Sequence, residues 1–304
     1  MDNHIGTQTG TEAVNFSSSL NFMGISQHSI LKSASYGGSN DITIKNSQIF
    51  GNDTQVSMTN TKEGMVVGSD GSQNQDLDMT GIEQHSTSEV VGDPINYTVS
   101  QTFGDNTRVA LKSTTADQSG EGGELQSTSR FMGIRQENSD LNQTFGANTQ
   151  VLLSNTAGTI TMDGEDTRVV TGSSLIGIAQ INSKNSTQTF GDNTKVQVKN
   201  SLGDLIVGGD ESQLGLISEA TGISQSGSSG SSSQTFGENT QIRVESKAGS
   251  IKNTASAEID FSVKGIEQAS RGAQMTFGNG TQVTVHAEIG AIKGVQEWTS
   301  SVND

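Results

Sequence analysis

The sequence contains no cysteine and a single proline, Pro94. The lack of cysteine excludes a disulfide framework and a thiolate metal site, although it does not fix the compartment. Aromatic residues make up 4% of the chain and apolar residues 30%, whereas globular domains usually carry about 45–50% apolar residues. The regular recurrence of Val, Ile and Thr argues against disorder. We therefore expect an architecture that needs few apolar residues per layer.

Long apolar runs and basic clusters are missing as well. No segment approaches the roughly 18 apolar residues of a membrane-spanning helix, and residues 1–20 lack the basic and apolar regions of a secretory signal peptide. Lys and Arg total 17 against 33 Asp and Glu, a formal net charge of −16. Nucleic acids and anionic membranes bind basic surfaces. We predict neither nucleic-acid binding nor membrane insertion.

One motif, Gln-x-Phe-Gly, dominates what is present. Its phenylalanines are Phe50, Phe103, Phe145, Phe190, Phe236 and Phe277. The last copy has Met275 in place of glutamine, and the first has Ile49 before its phenylalanine. Apolar residues stand six and eight positions after each phenylalanine, and this period of two predicts a strand with one buried face.

A second motif, Gly-Ile-x-Gln, also occurs six times. Its isoleucines are Ile25, Ile82, Ile134, Ile178, Ile223 and Ile266. Its glutamines are Gln27, Gln84, Gln136, Gln180, Gln225 and Gln268. A third landmark is a glycine about 13 residues after most of the phenylalanines, with an apolar residue two positions later, as in Gly64 and Val66. Together they predict six units of about 45 residues, each with about four short strands.

The repeats define the expected domain organisation. Residues 1–20 are interpreted as a polar arm or cap, residues 21–294 as the six-unit repeat domain and residues 295–304 as a C-terminal cap or tail. Extra residues at 28–47 and 85–100 lie between the two motifs of the first two units. They predict loops on one flank that could bind a glycan or a protein.

Three all-β architectures fit this pattern: a β-solenoid resembling a parallel β-helix, a six-bladed β-propeller and a linear antiparallel repeat sheet. The low apolar content favours the solenoid, because stacked coils need few inward residues each. The glutamines point the same way, since each shares a strand face with an apolar residue. In a stack, their amides can pair along the axis at a spacing of about 4.8 Å.

The recurring Gln, Gly and Asn resemble the curlin repeats of extracellular functional amyloid, in which these residues recur in a strand–turn–strand unit. The present unit is about twice as long, and its glycine follows the glutamine by three positions rather than two. The resemblance rests on two short motifs per unit. It implies stacking of like on like.

Chemistry-bearing residues form no recognisable site. The histidines His4, His28, His85 and His286 have no metal-ligand spacing, so we predict no metal and no cofactor, with weak surface calcium left open. The densest acidic cluster, Asp163, Glu165 and Asp166, is interpreted as a tight turn rather than a pair of catalytic acids. A row of six threonines, each four residues after a phenylalanine, could order water but is interpreted as turn-to-strand residues. We therefore predict no enzymatic activity.

These observations predict a structural or adhesive protein that assembles with itself, as the subunit or shaft of an extracellular fibre, a surface layer or a virion appendage. A solenoid has open ends, and open strand edges pair with other chains unless they are capped. The alternatives are a monomeric module that binds glycan or protein and, less favoured, a polysaccharide-active enzyme. The composition favours an extracellular, cell-surface or virion location, with the cytoplasm as an alternative.

Overall fold

A computed structural model describes residues 2–5, 8–9, 15–31, 43–69, 71–88, 96–227, 230–253, 255–270, 272–295 and 297–303. These residues form 25 strands, numbered β1 to β25 in chain order, and no helix. The described part of the chain therefore contains no helical segment that could cross a bilayer.

The strands belong to three sheets. Sheet 1 contains β1 (Asp2–Ile5), β5 (Gln55–Lys62), β9 (Arg108–Thr115), β12 (Gln150–Ala157), β15 (Lys195–Leu202), β19 (Gln241–Ala248) and β23 (Gln282–Ile289). Sheet 2 contains β2 (Gln8–Thr9), β6 (Met65–Val67), β10 (Gln118–Gly120), β13 (Ile160–Asp163), β16 (Leu205–Gly208), β20 (Ile251–Asn253) and β24 (Ile292–Lys293). The long strands of sheet 3 are β3 (Asn15–Leu31), β7 (Ser72–Ser88), β11 (Glu124–Phe145), β14 (Arg168–Phe190), β17 (Gln213–Gly227), β21 (Ser256–Ala269) and β25 (Glu297–Asn303).

Sheet 3 also includes the segments that end in the repeated phenylalanines, which we call the phenylalanine strands. Four are separate strands: β4 (Thr43–Phe50), β8 (Asn96–Phe103), β18 (Ser232–Phe236) and β22 (Gln274–Phe277). The other two are the C-terminal parts of β11 and β14, which pair with β8 and β18 respectively. One coil thus consists of a sheet 1 strand, a sheet 2 strand, a long sheet 3 strand and a phenylalanine strand.

Every strand pairs in parallel with its equivalent in the neighbouring coil. Val151 of β12, for example, lies between Val109 of β9 and Val196 of β15. The predicted solenoid is confirmed, and the propeller and the antiparallel sheet are wrong, since both require antiparallel neighbours. Six coils carry all four strands in the described residues, and β23, β24 and β25 form a partial seventh.

The core is a narrow column inside the coils. Along β15, inward side chains such as Val196 and Val198 are buried, and they alternate with the exposed Lys195 and Lys199. Each coil therefore encloses only a few apolar side chains per strand. This geometry explains how a chain with 30% apolar residues folds.

The long strands of sheet 3 turn a corner at the Gly-Ile pair. Gly177 and Ile178 both face the interior, which breaks the alternation, and the ladder of paired residues omits the glycine. A Cβ atom on Gly177 would lie 2.5 Å from the carbonyl oxygen of Gly222 and 2.7 Å from Val196 Cγ1. The glycine is required because the corner brings it against the next coil.

Both terminal segments belong to the solenoid. Strand β3 runs through the boundary expected between residues 20 and 21, and β1 and β2 pair with β5 and β6. Strand β25 pairs with β21, and Trp298 is in register with Ala257. Of the two predicted loops, residues 32–42 and 89–95 lie outside the described residues, and the described flanks are strands.

One copy of the third landmark has a different register from the others. Val66 follows the landmark glycine Gly64 by two positions, but it points outward and is 41% exposed, whereas Met65 and Val67 are buried. The spacing from Phe50 to Gly64 is fourteen residues instead of thirteen, which shifts the register by one. A shift of one residue moves every side chain to the opposite face of a strand.

Two glycines of β14 test the corner. We expect Gly177→Ala to lower the free energy of unfolding by about 1–3 kcal/mol, because its Cβ has no room beside the next coil. Gly172→Ala is the matched control, since its Cβ would meet no atom closer than 3.7 Å. Urea unfolding followed by circular dichroism measures both. Equal stability of the two variants would contradict the corner packing.

Candidate functional site: the interior ladders and the C-terminal end

The six repeated phenylalanines form one stack. Neighbouring ring centroids lie 4.8 to 5.1 Å apart, and the interplanar angles are 1° to 8°. The four inner rings are 2% exposed, whereas Phe277 at the C-terminal end is 50% exposed. Stacked aromatic pairs contribute about 0.5–1.5 kcal/mol beyond their burial. The stack therefore stabilises each coil against its neighbours.

The isoleucines of Gly-Ile-x-Gln form a second interior column. Ile82, Ile134, Ile178 and Ile223 are fully buried, and each is in register with the next. Ile25 and Ile266, at the two ends, are partly buried. This column fills the space behind the corner glycines.

The glutamines of the same motif form a hydrogen-bonded ladder. Each Nε2 donates to the Oε1 of the glutamine in the preceding coil, from Gln84 to Gln27 at 3.1 Å through to Gln268 to Gln225 at 2.7 Å. Gln84, Gln136, Gln180 and Gln225 are 0% exposed. A buried amide normally costs free energy, and stacking identical amides satisfies it.

The same amides also bond to the segment of their own coil that leads to the phenylalanine. Gln136 Nε2 donates to the carbonyl of Asn142 at 3.2 Å, and Gln180 Nε2 donates to that of Thr187 at 3.1 Å. These carbonyls belong to the phenylalanine strands, which follow connections of different lengths. The glutamine thereby fixes the start of each phenylalanine strand.

The glutamines of Gln-x-Phe-Gly form a second ladder. Its four bonds run from Gln101 to Gln48 at 2.9 Å up to Gln234 to Gln188 at 2.7 Å. The ladder ends at Gln234, because its partner in the next coil is Met275. Gln234 Oε1 is consequently buried and accepts no hydrogen bond.

A third ladder, at the turn after each phenylalanine, was not predicted from the sequence. The second residue after each Phe-Gly pair has a positive φ of 55° to 73°, and its identities are Asp53, Asn106, Asn148, Asn193, Asn239 and Gly280. The asparagine amides bond to the preceding coil, for example Asn148 Nδ2 to Asn106 Oδ1 at 3.1 Å. Asn, Asp and Gly are the residues that tolerate this conformation, so the Gly-x-Asn pattern carried the signal.

The threonine row follows these turns. All six hydroxyls donate to the carbonyl of the glycine three residues earlier, at 2.7 to 3.0 Å. The inner four are Thr107, Thr149, Thr194 and Thr240, and all are 0% exposed. The row closes the turns and offers no flat surface to solvent.

Among the described residues, no further layer covers the C-terminal end of the solenoid. Met275, Phe277, Val283, Val285 and Ile292 occupy inward positions, yet 36% to 50% of each remains exposed. Their equivalents one coil earlier are at most 2% exposed. The end therefore presents a cross-section of the core to solvent.

The interior of the second and third coils contains long polar side chains. Lys62 is buried, and its Nζ donates to Gln75 Oε1 at 3.3 Å. Burial lowers the pKa of the Lys62 ammonium, and nearby Asp76 partly opposes that shift. The Oε1 atoms of Gln73 and Gln118 are buried without a hydrogen-bond partner. A buried polar atom without a partner costs free energy, so these positions oppose the folding of the second and third coils.

A charged network links the first three coils on the outer face of sheet 3. Arg135 bonds Glu83 at 2.7 Å and also bonds Glu137, while His85 Nδ1 lies 3.1 Å from a Glu137 oxygen. The ring of His28 packs edge-on against His85 at 4.7 Å. The Arg135 guanidinium in the third coil binds the carboxylate of Glu83 in the second coil as well as that of Glu137 in its own coil. The network therefore joins neighbouring coils.

The acidic cluster seen in the sequence lies on a turn between sheets 2 and 3. Asp163, Glu165 and Asp166 are exposed, and Asp166 has a φ of 54°. Across the described residues, no three His, Asp or Glu side chains come together as a metal site would require. Neither a family model nor a curated protein nor a solved structure matches this chain.

The first ladder can be tested in the middle of the solenoid. We expect Gln180→Leu to lower the free energy of unfolding by about 1–3 kcal/mol, because it leaves Gln136 Oε1 without a donor. Gln180→Ala should cost about 1 kcal/mol more, since it also leaves a cavity. Gln197→Leu, on the outer face of β15, is the control. If Gln180→Leu and Gln197→Leu unfold at the same urea concentration, the ladder contributes nothing.

The second ladder offers a stabilising change. Met275→Gln places an amide donor opposite the unpaired Oε1 of Gln234, and we expect a gain of about 1 kcal/mol in unfolding free energy. Met275→Leu keeps the site apolar and should leave stability nearly unchanged. The urea midpoints of the two variants and the parent decide between these outcomes. A Met275→Gln variant no more stable than Met275→Leu would show that the amide does not extend the ladder.

Proposed function

We propose that this chain is a structural, self-assembling protein, the subunit of a fibre shaft, surface layer or virion appendage outside the cell, with no enzymatic role. The observation that carries the proposal is the open C-terminal end. Apolar side chains at positions that are buried one coil earlier are left 36% to 50% exposed there. Exposed apolar patches of this kind mark interaction surfaces.

The backbone supports the same proposal. Strand β23 pairs with β19 on one side only, among the described residues, so its other edge presents unpaired N–H and C=O groups. The end is stepped, because β23, β24 and β25 form a seventh layer that does not extend over Gln268 and Phe277. An added copy would meet the β23 edge first, together with Val283 and Val285.

A second copy of the chain is the favoured occupant of this end. Its N-terminal coil also offers partly buried apolar residues, Leu20, Phe22 and Ile25, in the first layer of sheet 3. Contact between the two different ends is heterologous, and a heterologous contact that does not close generates a filament. The parallel pairing that holds the coils together would continue across the junction.

The junction can be blocked by charge on the last sheet 1 strand. We expect the parent protein to form filaments visible by electron microscopy, and Val283→Lys/Val285→Lys to remain monomeric, because the ammonium groups would have to be buried in the contact. Thr284→Lys/His286→Lys, on the outer face of the same strand, should still assemble. Circular dichroism checks that all three proteins are folded.

Light scattering supplies the contrary outcome. A parent protein that stays monomeric at high concentration and across pH would sink the structural proposal. The alternative would then be a monomeric module that binds a glycan or a protein through residues 28–47 and 85–100, ahead of a polysaccharide-active enzyme.

A further inference from the structure

One outer surface of this acidic protein is basic. On strands β9, β12 and β15 of sheet 1, the outward side chains include Arg108, Lys112, Lys195 and Lys199, and no Asp or Glu. We call these four cations the basic face. All four are exposed, and none forms an ion pair within the described part of the chain. The next strand, β19, adds Arg243 and Lys247 around Glu245.

The cations of the basic face are regularly spaced. Lys112 and Lys199 lie in one register column with Ser154 between them, and Arg108 and Lys195 flank Gln150 in the same way. Coils repeat at about 4.8 Å, so each pair is separated by roughly 10 Å along the axis. Along a strand, four residues separate the columns by about 13 Å.

The neighbouring acid on β19, Glu245, is in register with Lys199 of the basic face. Burial would raise the pKa of Glu245, but its hydrogen bond to Lys247 and the nearby charges of Lys247, Lys199 and Arg243 lower that pKa. Lys199 thus adds to the effect of Lys247 in favouring the charged form of this carboxylate. The face suits a row of carboxylates supplied from outside.

The same coils carry a complementary surface. The turns between sheets 2 and 3 present six exposed acids, which we call the acidic ridge: Glu121, Asp163, Glu165, Asp166, Asp210 and Glu211. The nearby cation Arg168 is already bonded to Glu124 at 2.7 Å. The ridge and the basic face both occupy the third, fourth and fifth coils, and they share the same axial repeat.

We propose that the basic face of one copy binds the acidic ridge of a second copy, so that solenoids associate side by side. Because both surfaces lie in the same coils, the two copies stand parallel at the same axial level. The contact is heterologous, so it repeats from copy to copy and builds rows or bundles. This inference rests on the proposed self-assembly and adds the lateral contact between shafts.

The charge distribution of the chain favours a second copy over a foreign polyanion as the partner of the basic face. The net charge of −16 repels a long polyanion, whereas the ridge offers carboxylates at the repeat distance of the face. Exposed ion pairs are individually weak, and salt screens them over about 10 Å at 0.1 M. The lateral contact therefore needs many copies along a shaft, and it should depend strongly on salt.

The test measures bundling of filaments by electron microscopy and by pelleting at about 0.02 M and 0.5 M NaCl. Salt screens the attraction between the two surfaces weakly at the lower concentration and strongly at the higher one. The parent should bundle in low salt and separate into single filaments in high salt. Lys195→Glu/Lys199→Glu should lose at least tenfold of the pelleted bundles in low salt and keep single filaments. Lys45→Glu/Lys252→Glu, with the same change in net charge from −16 to −20, should bundle like the parent.

A charge swap sharpens the result. Adding Glu165→Lys and Asp210→Lys to Lys195→Glu/Lys199→Glu returns the net charge to −16 and gives each surface two charges of the opposite sign, so bundling should return in part. Unchanged bundling in Lys195→Glu/Lys199→Glu overturns the inference, as do parent filaments that stay single in low salt. The inference is also overturned if Lys195→Glu/Lys199→Glu bundles like the parent but no longer binds a dextran sulfate resin. That result would assign the basic face to the binding of an acidic polymer. Absence of filaments at every salt concentration would instead overturn the proposed function itself.

Discussion

Parallel backbone hydrogen bonding between successive coils is the constraint on which this structure depends. At the start of the sheet 1 strands, backbone N–H groups donate to carbonyl oxygens of the preceding coil. Examples are Gln150 N–H to Thr107 O and Lys195 N–H to Thr149 O, both at 2.8 Å. The strand spacing is thereby set near 4.8 Å. The phenylalanine centroids, 4.8 to 5.1 Å apart, follow it directly. Every interior side chain consequently has its own equivalent as its nearest neighbour.

This constraint decides which residues the interior accepts. A buried amide is costly alone, but a column of glutamines supplies each Oε1 with the Nε2 of the next coil. A glycine is needed at the corner, because a Cβ would meet a carbonyl of the next coil in the first five coils and the Val283 side chain in the sixth. The interior can thus contain polar residues and still be satisfied, which explains the low apolar content. The principle fails where a column is interrupted, as at Gln234, whose Oε1 has no donor.

Repetition also shapes the surfaces that we assign to assembly. A stack of like units buries each cross-section except the last, and so the apolar residues of β23 remain exposed. Outward columns repeat in the same way, so that a cation every second coil becomes a basic face and an acid in each turn becomes a ridge. Axial and lateral contacts then have different physical origins, burial of apolar area for the first and screened charge for the second.

The sequence by itself determined the repeat, the strand faces and the inward columns of Phe, Ile and Gln. A period of two assigns each side chain to a face of its strand, and the same residue at the same position of each unit indicates that like residues stack. It also favoured the solenoid over the propeller. Only the tertiary structure decided the register of Val66, the turn ladder of Asn106 and Asn148, and the inclusion of β1 to β3 in the first coil. Whether Lys195 and Lys199 join Arg108 and Lys112 on one face depends on coil stacking, which brings together residues more than 80 positions apart.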